Sequence, residues 1–380
     1  MSKGAPLIAT RPTLGALGDP IPDVRRIAVL RSNGIGDFVV AIPALEALRA
    51  AYPEATVTYL GDTWHPELLN SRPGPWDEVV VVPPFPGVRN GESADADGAD
   101  VRAFFAEQQG RGYDLAVQLH GGGGNSNPFV SRLGARVTAG SRDRGAPELD
   151  RTTPYVYFQH ETLRFLEVVA LVGAPPVSLE PSLTVTAADH AAATAALADD
   201  DRPLVLLHPG ASDQRRQWPT ESFAAVADAL AARGADVAVV GVAGDRPAAA
   251  SIADAMRQPL TDLTGRLSLS ATTGLLARAA VMIGNDSGPR HVAAAVGTAT
   301  VGIFWCGNLI NAGPLSRARN RVAVSFRVNC PVCGADQGHG RCPHDVSFVA
   351  DVPVEDVLDP AVELLETEAR RAGVGQNAPR

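Results

Sequence analysis

The chain repeats one local pattern: a short apolar run, a turn that contains glycine, and an amphipathic or alanine-rich segment. The clearest copy spans residues 279–295, where the apolar run ends in the turn Asn285-Asp286-Ser287-Gly288 and an alanine-rich stretch follows. This pattern predicts a buried strand, a turn and a helix. The amino end of such a helix offers free backbone N–H groups and a partial positive charge, so the turn can hold an anion.

The side chains of this turn suggest which anion would fit. Gly288 permits close approach of the backbone to a ligand, which a Cβ would prevent. Ser287 and His291 add donors, and Asp286 adds an acceptor for a hydroxyl. The set suits a phosphate attached to a sugar. The alternative is an ordinary helix start with Asp286 or Ser287 as the N-cap.

The pattern recurs in both halves of the 380-residue chain, which is too long for one ordinary core. We therefore predict an α/β protein of two doubly wound domains that face each other across a cleft. The expected boundaries are a disordered leader at 1–24, a first domain at 25–183, a second domain at 184–357, and a C-terminal helix with a frayed tail at 358–380.

Composition limits the partners and the compartment. A net charge of −9 argues against a general nucleic-acid binder. No apolar run approaches the roughly 18 to 20 residues that span a bilayer, and the N-terminus lacks the apolar core of a signal peptide. We expect a cytoplasmic protein without a transmembrane segment, and peripheral contact with the inner membrane surface stays open.

Two glycine loops follow predicted strands of the first domain. After residues 26–31 comes Ser32-Asn33-Gly34-Ile35-Gly36-Asp37, which lacks the third glycine of a dinucleotide fingerprint. Asp37 either caps the next helix or serves as a carboxylate that takes a proton from a hydroxyl. After residues 114–119 comes His120, then four glycines and Asn125. His120 is a candidate for substrate binding, although a structural role is the favoured interpretation.

The second domain carries a further anion-binding pattern. A strand at 204–207 leads into His208-Pro209-Gly210-Ala211-Ser212, and Arg215 and Arg216 follow. Guanidinium groups match phosphate oxygens well. In a parallel sheet these groups and the turn from Asp286 to His291 all lie at one edge. This edge is a candidate diphosphate site without a metal, and the alternative for the arginines is a solvated surface pair.

Three of the four cysteines cluster near the C-terminus. Cys330, Cys333, Cys342 and His344 match a zinc site in ligand type and spacing. No second Cys-x-x-Cys pairs with the first, so a reduced loop near the cleft is the favoured interpretation and no metal is expected.

Four blocks, taken together, carry a resemblance to a known family. They are residues 33–37 with Ile42-Pro43-Ala44-Leu45, His208-Pro209-Gly210-Ala211-Ser212, Arg216-Gln217-Trp218-Pro219, and Asn285-Asp286-Ser287-Gly288-Pro289-Arg290-His291. In this order they resemble glycosyltransferase family 9, whose best-known members are ADP-heptose:lipopolysaccharide heptosyltransferases. The resemblance covers about residues 27–314, and the cysteine-rich tail is also similar to that of many members.

The resemblance implies a GT-B fold and an inverting, metal-independent transfer of a sugar from a nucleotide diphosphate to a hydroxyl acceptor, with no cofactor. It makes Asp37 the general base and Arg216 a phosphate contact at a position usually held by lysine. The donor side would comprise Gly210, Ser212, Arg216, Asp245, Asp286, Ser287, Gly288 and His291. The candidates on the acceptor side are Asn33, Gly36, His120 and Asn125.

Two departures from the family bear on the substrates. Trp305 stands near the expected donor pocket, where its bulk could reshape the pocket, and Arg290 replaces a more usual methionine. Arg290 could bind an anionic acceptor or face solvent. Heptose and ADP are expected for the donor, and a glycolipid or saccharide, lipid-linked included, for the acceptor. The alternatives are another GT-B enzyme, such as a nucleotide-sugar epimerase, or a non-catalytic sugar-nucleotide-binding protein.

Overall fold

The computed structural model describes residues 17–89, 94–338 and 340–376. They form two six-stranded sheets in which every paired strand is parallel. A wholly parallel sheet requires crossover connections, and helices supply most of them here. Each sheet belongs to one domain of the predicted doubly wound type.

The first domain has the strand order β3-β2-β1-β4-β5-β6. Its strands are β1 Arg26–Leu30, β2 Thr56–Gly61, β3 Glu78–Val81, β4 Leu115–Gln118, β5 Val137–Arg142 and β6 Arg151–Pro154. Its helices are α1 Ile35–Val39, α2 Ile42–Ala51, α3 His65–Leu69, α4 Ala99–Gly110, α5 Ser126–Ser131 and α6 Glu161–Ala170.

The second domain repeats this topology, with the order β9-β8-β7-β10-β11-β12. Its strands are β7 Leu204–His208, β8 Asp236–Val239, β9 Thr261–Asp262, β10 Val281–Asn285, β11 Ala299–Trp305 and β12 Asn320–Ser325. Its helices are α7 Ala187–Ala196, α8 Thr220–Ala231, α9 Arg246–Ala255, α10 Leu269–Arg278, α11 Gly288–Ala295, α12 Cys306–Ala312 and α13 Glu355–Gln376, with short 3-10 helices at Gln214–Arg216 and Ala243–Asp245. Both domains thus have the Rossmann order, which places ligand sites at the carboxyl ends of the strands.

Local chemistry explains most element boundaries. The central strands β1, β7 and β10 are apolar and almost fully buried, as strands covered on both faces must be. Thr186 and Ser268 cap α7 and α10 by accepting a hydrogen bond from the third helical N–H. One helix is predicted from the end of the glycine loop at 32–37 to about Ala51, but two form, because Pro43 has no N–H for the carbonyl of Val39.

Several elements have no counterpart in the sequence prediction. They are α3, α4, α5, β5, β6, β9, α12 and β12. Most of these are short, and the strand β6 carries the polar sequence Arg-Thr-Thr-Pro, so periodicity gives no signal. The helix α4 begins at the end of the polar, glycine-rich segment 85–100, whose composition predicts a loop.

The chain ends pack onto the domains. Most of the leader expected at 1–24 lies outside the described residues, but Ile21 and Val24 are buried in the first domain. At the other end, Val357, Ala361 and Leu364 on α13 join the core of the second domain. Within the described part of the chain, none of the helices has the length and apolarity needed to cross a bilayer.

Polar contacts fix one domain against the other. Arg72, after α3, forms a two-pronged ion pair with Asp189 on α7, at 2.7 and 3.0 Å. Both side chains are almost completely buried, at 4% and 1% exposure. On another part of the boundary, the ring of His160 lies 2.7 Å from the carbonyl oxygen of Gly313. The two sheets are therefore held in a defined orientation.

Candidate active site

Asp37 lies in the first turn of α1, at the carboxyl end of β1. Its Oδ1 accepts a hydrogen bond from Nη2 of Arg31 at 2.8 Å, and its Oδ2 accepts one from the N–H of Gly34 at 3.1 Å. The carboxylate nevertheless remains 45% exposed, whereas Arg31 is 4% exposed. An oriented and accessible carboxylate of this kind can take a proton from a bound hydroxyl.

Arg31 is fixed from several sides. Its Nη2 also donates to Glu161 at 3.0 Å, its Nη1 donates to the carbonyl of Leu119 at 2.9 Å, and its guanidinium lies 4.8 Å from the ring centre of Phe165. Glu161 is in turn paired with the buried Arg164. Asp37 is thus the exposed end of a chain of alternating charges that begins inside the domain.

A cavity of about 380 Å³ opens beside Asp37. Its lining is mostly polar or glycine: Arg31, Asn33, Asp37, Gly87, His120 to Ser126, Tyr155 and Glu161. Gly121 and Gly123 have φ of +68° and +91°, a region that glycine adopts most readily. The glycine loop predicted after β4 therefore forms one wall of this cavity. All four acceptor-side candidates lie at or next to the cavity, since Gly36 precedes Asp37.

His120 braces the walls of the cavity. Its Nδ1 accepts a hydrogen bond from the N–H of Ser32 at 3.2 Å. Burial, followed by the nearby Arg31, lowers the pKa of His120 to about 4, against the effect of a hydrogen bond with the backbone of Gly87. The imidazole is therefore neutral at physiological pH, with the proton on Nε2.

Asp286 is the centre of a second cluster, at the carboxyl end of β10. Its Oδ2 lies 3.2 Å from Nη1 of Arg216, and its Oδ1 lies 3.2 Å from Nε2 of His291. Burial would raise the pKa of Asp286, but the hydrogen bond with His291 and the charges of His291, Arg290 and Arg216 outweigh burial and lower it. Asp286 is thus an anchored anion that orients Arg216, whose Nη2 also donates to Ser212 at 2.5 Å.

Ser287 lies at the start of α11, but its side chain does not cap the helix. Instead its Oγ lies 3.0 Å from Nδ1 of His208, and Nε2 of His208 lies 3.7 Å from Asp245. Burial lowers the pKa of His208 to about 4, against the attraction of Asp245. A Cβ on Gly210 would lie 2.3 Å from Asp245, so only glycine allows this turn to pack over that carboxylate.

The two clusters meet at the boundary between the domains. A Cβ on Gly288 would lie 2.0 Å from Cγ2 of Ile35, and one on Gly36 would lie 2.9 Å from Cδ2 of His291. Helices α1 and α11 therefore touch through two glycines. The sequence predicted that Gly288 lets a ligand approach the backbone closely. This prediction is wrong, because Ile35 of the first domain fills that space. Asp37, one residue after Gly36, therefore lies close to His291 and the Asp286 cluster.

Three side chains near the donor side take roles that the sequence did not indicate. Arg290 neither faces solvent nor stands free for an anion: it is 1% exposed, and its guanidinium lies 4.8 Å from the ring centre of Phe304. Arg215 pairs with Asp213 at 2.6 Å. The indole of Trp305 donates to the carbonyl of Arg327 at 2.9 Å.

Sequence reasoning missed Arg31, Glu161 and Tyr155. Arg31 directly follows β1 at its carboxyl end, a position that could have marked it. Glu161 is 130 positions away from Arg31 in sequence, and no local pattern joins them. Ser32 Oγ and Asn33 Oδ1 are buried and have no hydrogen-bond partner among the described residues. Such atoms in a cleft are suited to meet a ligand.

Two Rossmann-like domains with a polar cleft between their facing strand ends define the GT-B class of proteins. Solved structures show the same fold. A glycosyl transferase family 9 protein from Veillonella parvula superposes with a TM-score of 0.72 at 22% identity, over 90% of this chain and 97% of that one. For E. coli ADP-heptose lps heptosyltransferase II, the TM-score is 0.70 at 20% identity, over 91% and 99%.

Sequence comparison gives the family. Residues 101–334 match the profile of glycosyltransferase family 9 (heptosyltransferase). Lipooligosaccharide heptosyltransferase 2 of Haemophilus influenzae is 26% identical over 297 residues, which cover 73% of this chain and 82% of that protein. The chain belongs to glycosyltransferase family 9 and is a glycosyltransferase, as its four sequence blocks predicted.

Proposed function

We propose that this glycosyltransferase moves heptose from ADP-heptose to a hydroxyl of a lipid-linked saccharide of the lipopolysaccharide type, with inversion at the anomeric carbon. The observation that carries the proposal is the contact between α1 and α11. This contact brings the helix that carries Asp37 next to the turn that carries Asp286 and Ser287. An acceptor activated by Asp37 would then face a donor held by the second domain.

The donor site is built from positive groups and N–H donors. Arg216 is preset by Asp286 and Ser212, and the amino end of α11, which carries a partial positive charge, begins directly after Ser287. These groups can neutralise charge on a departing diphosphate. We therefore propose that the transfer needs no added divalent cation. ADP-heptose is favoured because the name of the similar E. coli protein includes this donor.

The reaction is a single displacement. The acceptor hydroxyl attacks the anomeric carbon from the face opposite ADP while its proton passes to a carboxylate oxygen of Asp37. The bond between the anomeric carbon and the β-phosphate oxygen breaks, and ADP leaves with that electron pair. Arg31 keeps Asp37 oriented during the transfer. Attack opposite to the leaving group inverts the anomeric configuration.

The acceptor would enter through the cavity beside Asp37. Its polar and glycine-rich wall suits a saccharide. Three consecutive side chains that follow the lining residue Tyr155 are exposed and apolar: Val156 at 51%, Tyr157 at 60% and Phe158 at 45%. A saccharide attached to a lipid would satisfy both surfaces. We place the reaction in the cytoplasm, where nucleotide-activated sugars are made, with the lipid in the adjoining membrane leaflet.

The proposal is tested with purified protein, ADP-heptose and heptose-free lipopolysaccharide core as acceptor. We expect ADP release only when both substrates are present, without added Mg²⁺, and a product of inverted anomeric configuration by NMR. Conversion of the donor in the absence of acceptor would instead indicate an epimerase. Donor binding without turnover over the whole range of acceptors would indicate a binding protein.

A further inference from the structure

The segment between β12 and α13 gathers four soft ligands. Cys330, Cys333, Cys342 and His344 each offer one ligand atom, and these atoms all lie within 4.8 Å of one another. The Sγ of Cys330 lies 3.8 Å from Nδ1 of His344. Around tetrahedral zinc, two sulfurs are about 3.8 Å apart and a sulfur and a nitrogen about 3.6 Å apart. The four groups therefore already have the spacing of a metal site.

Backbone hydrogen bonds around Cys330 hold Cys330 and Cys333 together in one tight turn. The N–H of Gly334 donates to the carbonyl of Cys330 at 2.8 Å, and the N–H of Cys330 donates to the carbonyl of Ala335 at 2.8 Å. Gly334 has φ of +73°, which closes this turn with little strain only as glycine. Cys330 is 4% exposed, so one ligand is anchored in the protein while Cys333 faces outward.

We propose that Cys330, Cys333, Cys342 and His344 bind one structural zinc ion. Three thiolates and one imidazole fill a tetrahedral shell and leave no position for a substrate. The ion would cross-link a segment of 29 residues, between Ser325 and Glu355, that has no helix or strand among its described residues. Such a segment is well suited to a metal cross-link, because binding energy at a site of this kind becomes folding energy.

Gln337 connects this site to the donor-binding arginine. Its Nε2 donates to the Sγ of Cys342 at 3.2 Å, and its Oε1 accepts from Nη1 of Arg215 at 3.0 Å. Arg215 immediately precedes Arg216 in one 3-10 turn. Cys342, Gln337 and the 3-10 turn that carries Arg216 thus form one continuous chain of contacts.

Two further contacts fasten the same segment to the same turn. The guanidinium of Arg215 lies 4.7 Å from the ring centre of Phe348, and the hydroxyl of Ser347 donates to the carbonyl of Gln217 at 2.6 Å. We infer that zinc acts as a positioning element for Arg216. This second step rests on the proposed donor site, whereas metal binding itself does not.

Metal content tests the site independently of activity. The full-length protein, expressed with zinc available and purified without chelator, should contain one zinc per chain by plasma mass spectrometry. Cys330→Ser and His344→Ala should lower that content strongly, whereas Cys306→Ser should not, because Cys306 lies outside the cluster. Replacement by Co²⁺ should give the visible absorption of a tetrahedral thiolate site. Iron in place of zinc, a disulfide within the cluster, or metal-free protein with free thiols would overturn the proposal.

The positioning step has its own readout. Gln337→Leu should retain zinc but raise the KM for the sugar nucleotide, or the Kd for ADP, by about tenfold. Loss of a residue that is hydrogen-bonded to a metal ligand usually costs about 10- to 100-fold in affinity or activity, and we expect the lower end of this range. Its kcat should change little, since the chemistry lies at Asp37. An unchanged donor affinity with zinc retained would refute the coupling and leave the metal site standing. Zinc in a protein that binds no nucleotide would refute the proposed function alone.

Discussion

Arg216→Ala gives the most direct test of the donor site. In the structure its guanidinium joins Ser212 to Asp286 and is 21% exposed, so it can meet a diphosphate while remaining preset. A hydrogen bond to a charged group contributes about 1.5 to 3 kcal/mol. At about 1.4 kcal/mol per tenfold change, ADP should bind roughly 10- to 150-fold more weakly.

Loss of Arg216 should weaken ADP binding in a second way. Without Arg216, the buried Asp286 keeps His291 and Arg290 as positive or hydrogen-bonding neighbours among the described residues, so its charge repels the diphosphate more strongly. Arg216→Lys keeps the charge but cannot reach both partners, and its loss should stay below about tenfold.

Calorimetric titration with ADP measures this loss, and the KM for the sugar nucleotide should rise in parallel. Arg257→Ala removes the same charge from a side chain that is 90% exposed, and it serves as the matched control. If Arg216→Ala bound ADP with a Kd within about threefold of the parent, the change in binding free energy would be below about 1 kcal/mol. That result would refute the donor assignment.

Other predictions concern the base, the contact between the domains and the response to acid. Asp37→Asn should lower kcat by about 10² to 10⁴ with ADP affinity unchanged, and an equal loss of both would contradict the role of the base. Gly288→Ala should lower stability by about 1 to 3 kcal/mol through overpacking against Ile35, and Ile35→Ala should restore part of that loss in a double-mutant cycle measured by chemical denaturation. Burial alone would raise the pKa of Asp189. The hydrogen bonds from Arg72 and Thr186 outweigh this effect, so the pKa lies below its usual value. The pair then stabilises the fold above the unfolded pKa of about 3.9, and this contribution is lost as pH falls through the lower folded pKa. Asp189→Asn should cost about 3 to 5 kcal/mol at pH 7 by leaving Arg72 buried and unpaired, and the gap in melting temperature from the parent should shrink in acid. A gap that does not change with pH would contradict this assignment.

The grouping of the candidate donor residues at one sheet edge could be predicted because they follow two strands directly in sequence. Gly210, Ser212 and Arg216 follow one strand, and Asp286 to His291 follow another, so parallel pairing alone brings them to one edge. The acceptor side depends on contacts between distant positions. Arg31 meets Glu161 across 130 residues, and neither residue type specifies the other. The burial of Arg290 likewise depends on Phe304, a partner on the neighbouring strand that no helical pattern reveals.

Glycine shows a different limit of sequence reasoning. Gly36 and Gly288 each signal that something approaches the backbone closely, but the sequence does not say whether it is a ligand or another part of the chain. Here it is the other domain, through Ile35 and His291. Two helices that touch in this way set the distance between their neighbouring side chains, so this contact sets the separation of Asp37 from the Asp286 cluster.

That separation favours transfer over the rival chemistries. An epimerase acts on the donor alone and needs no second cavity, yet here a cavity of about 380 Å³ opens on the first domain beside an exposed carboxylate. A protein that only binds sugar nucleotides needs no carboxylate that is both oriented and accessible, whereas Arg31 and the N–H of Gly34 hold Asp37 while leaving it 45% exposed. The arrangement is explained when Asp37 must stay oriented and accessible to a hydroxyl that arrives from the first domain while the sugar is held by the second.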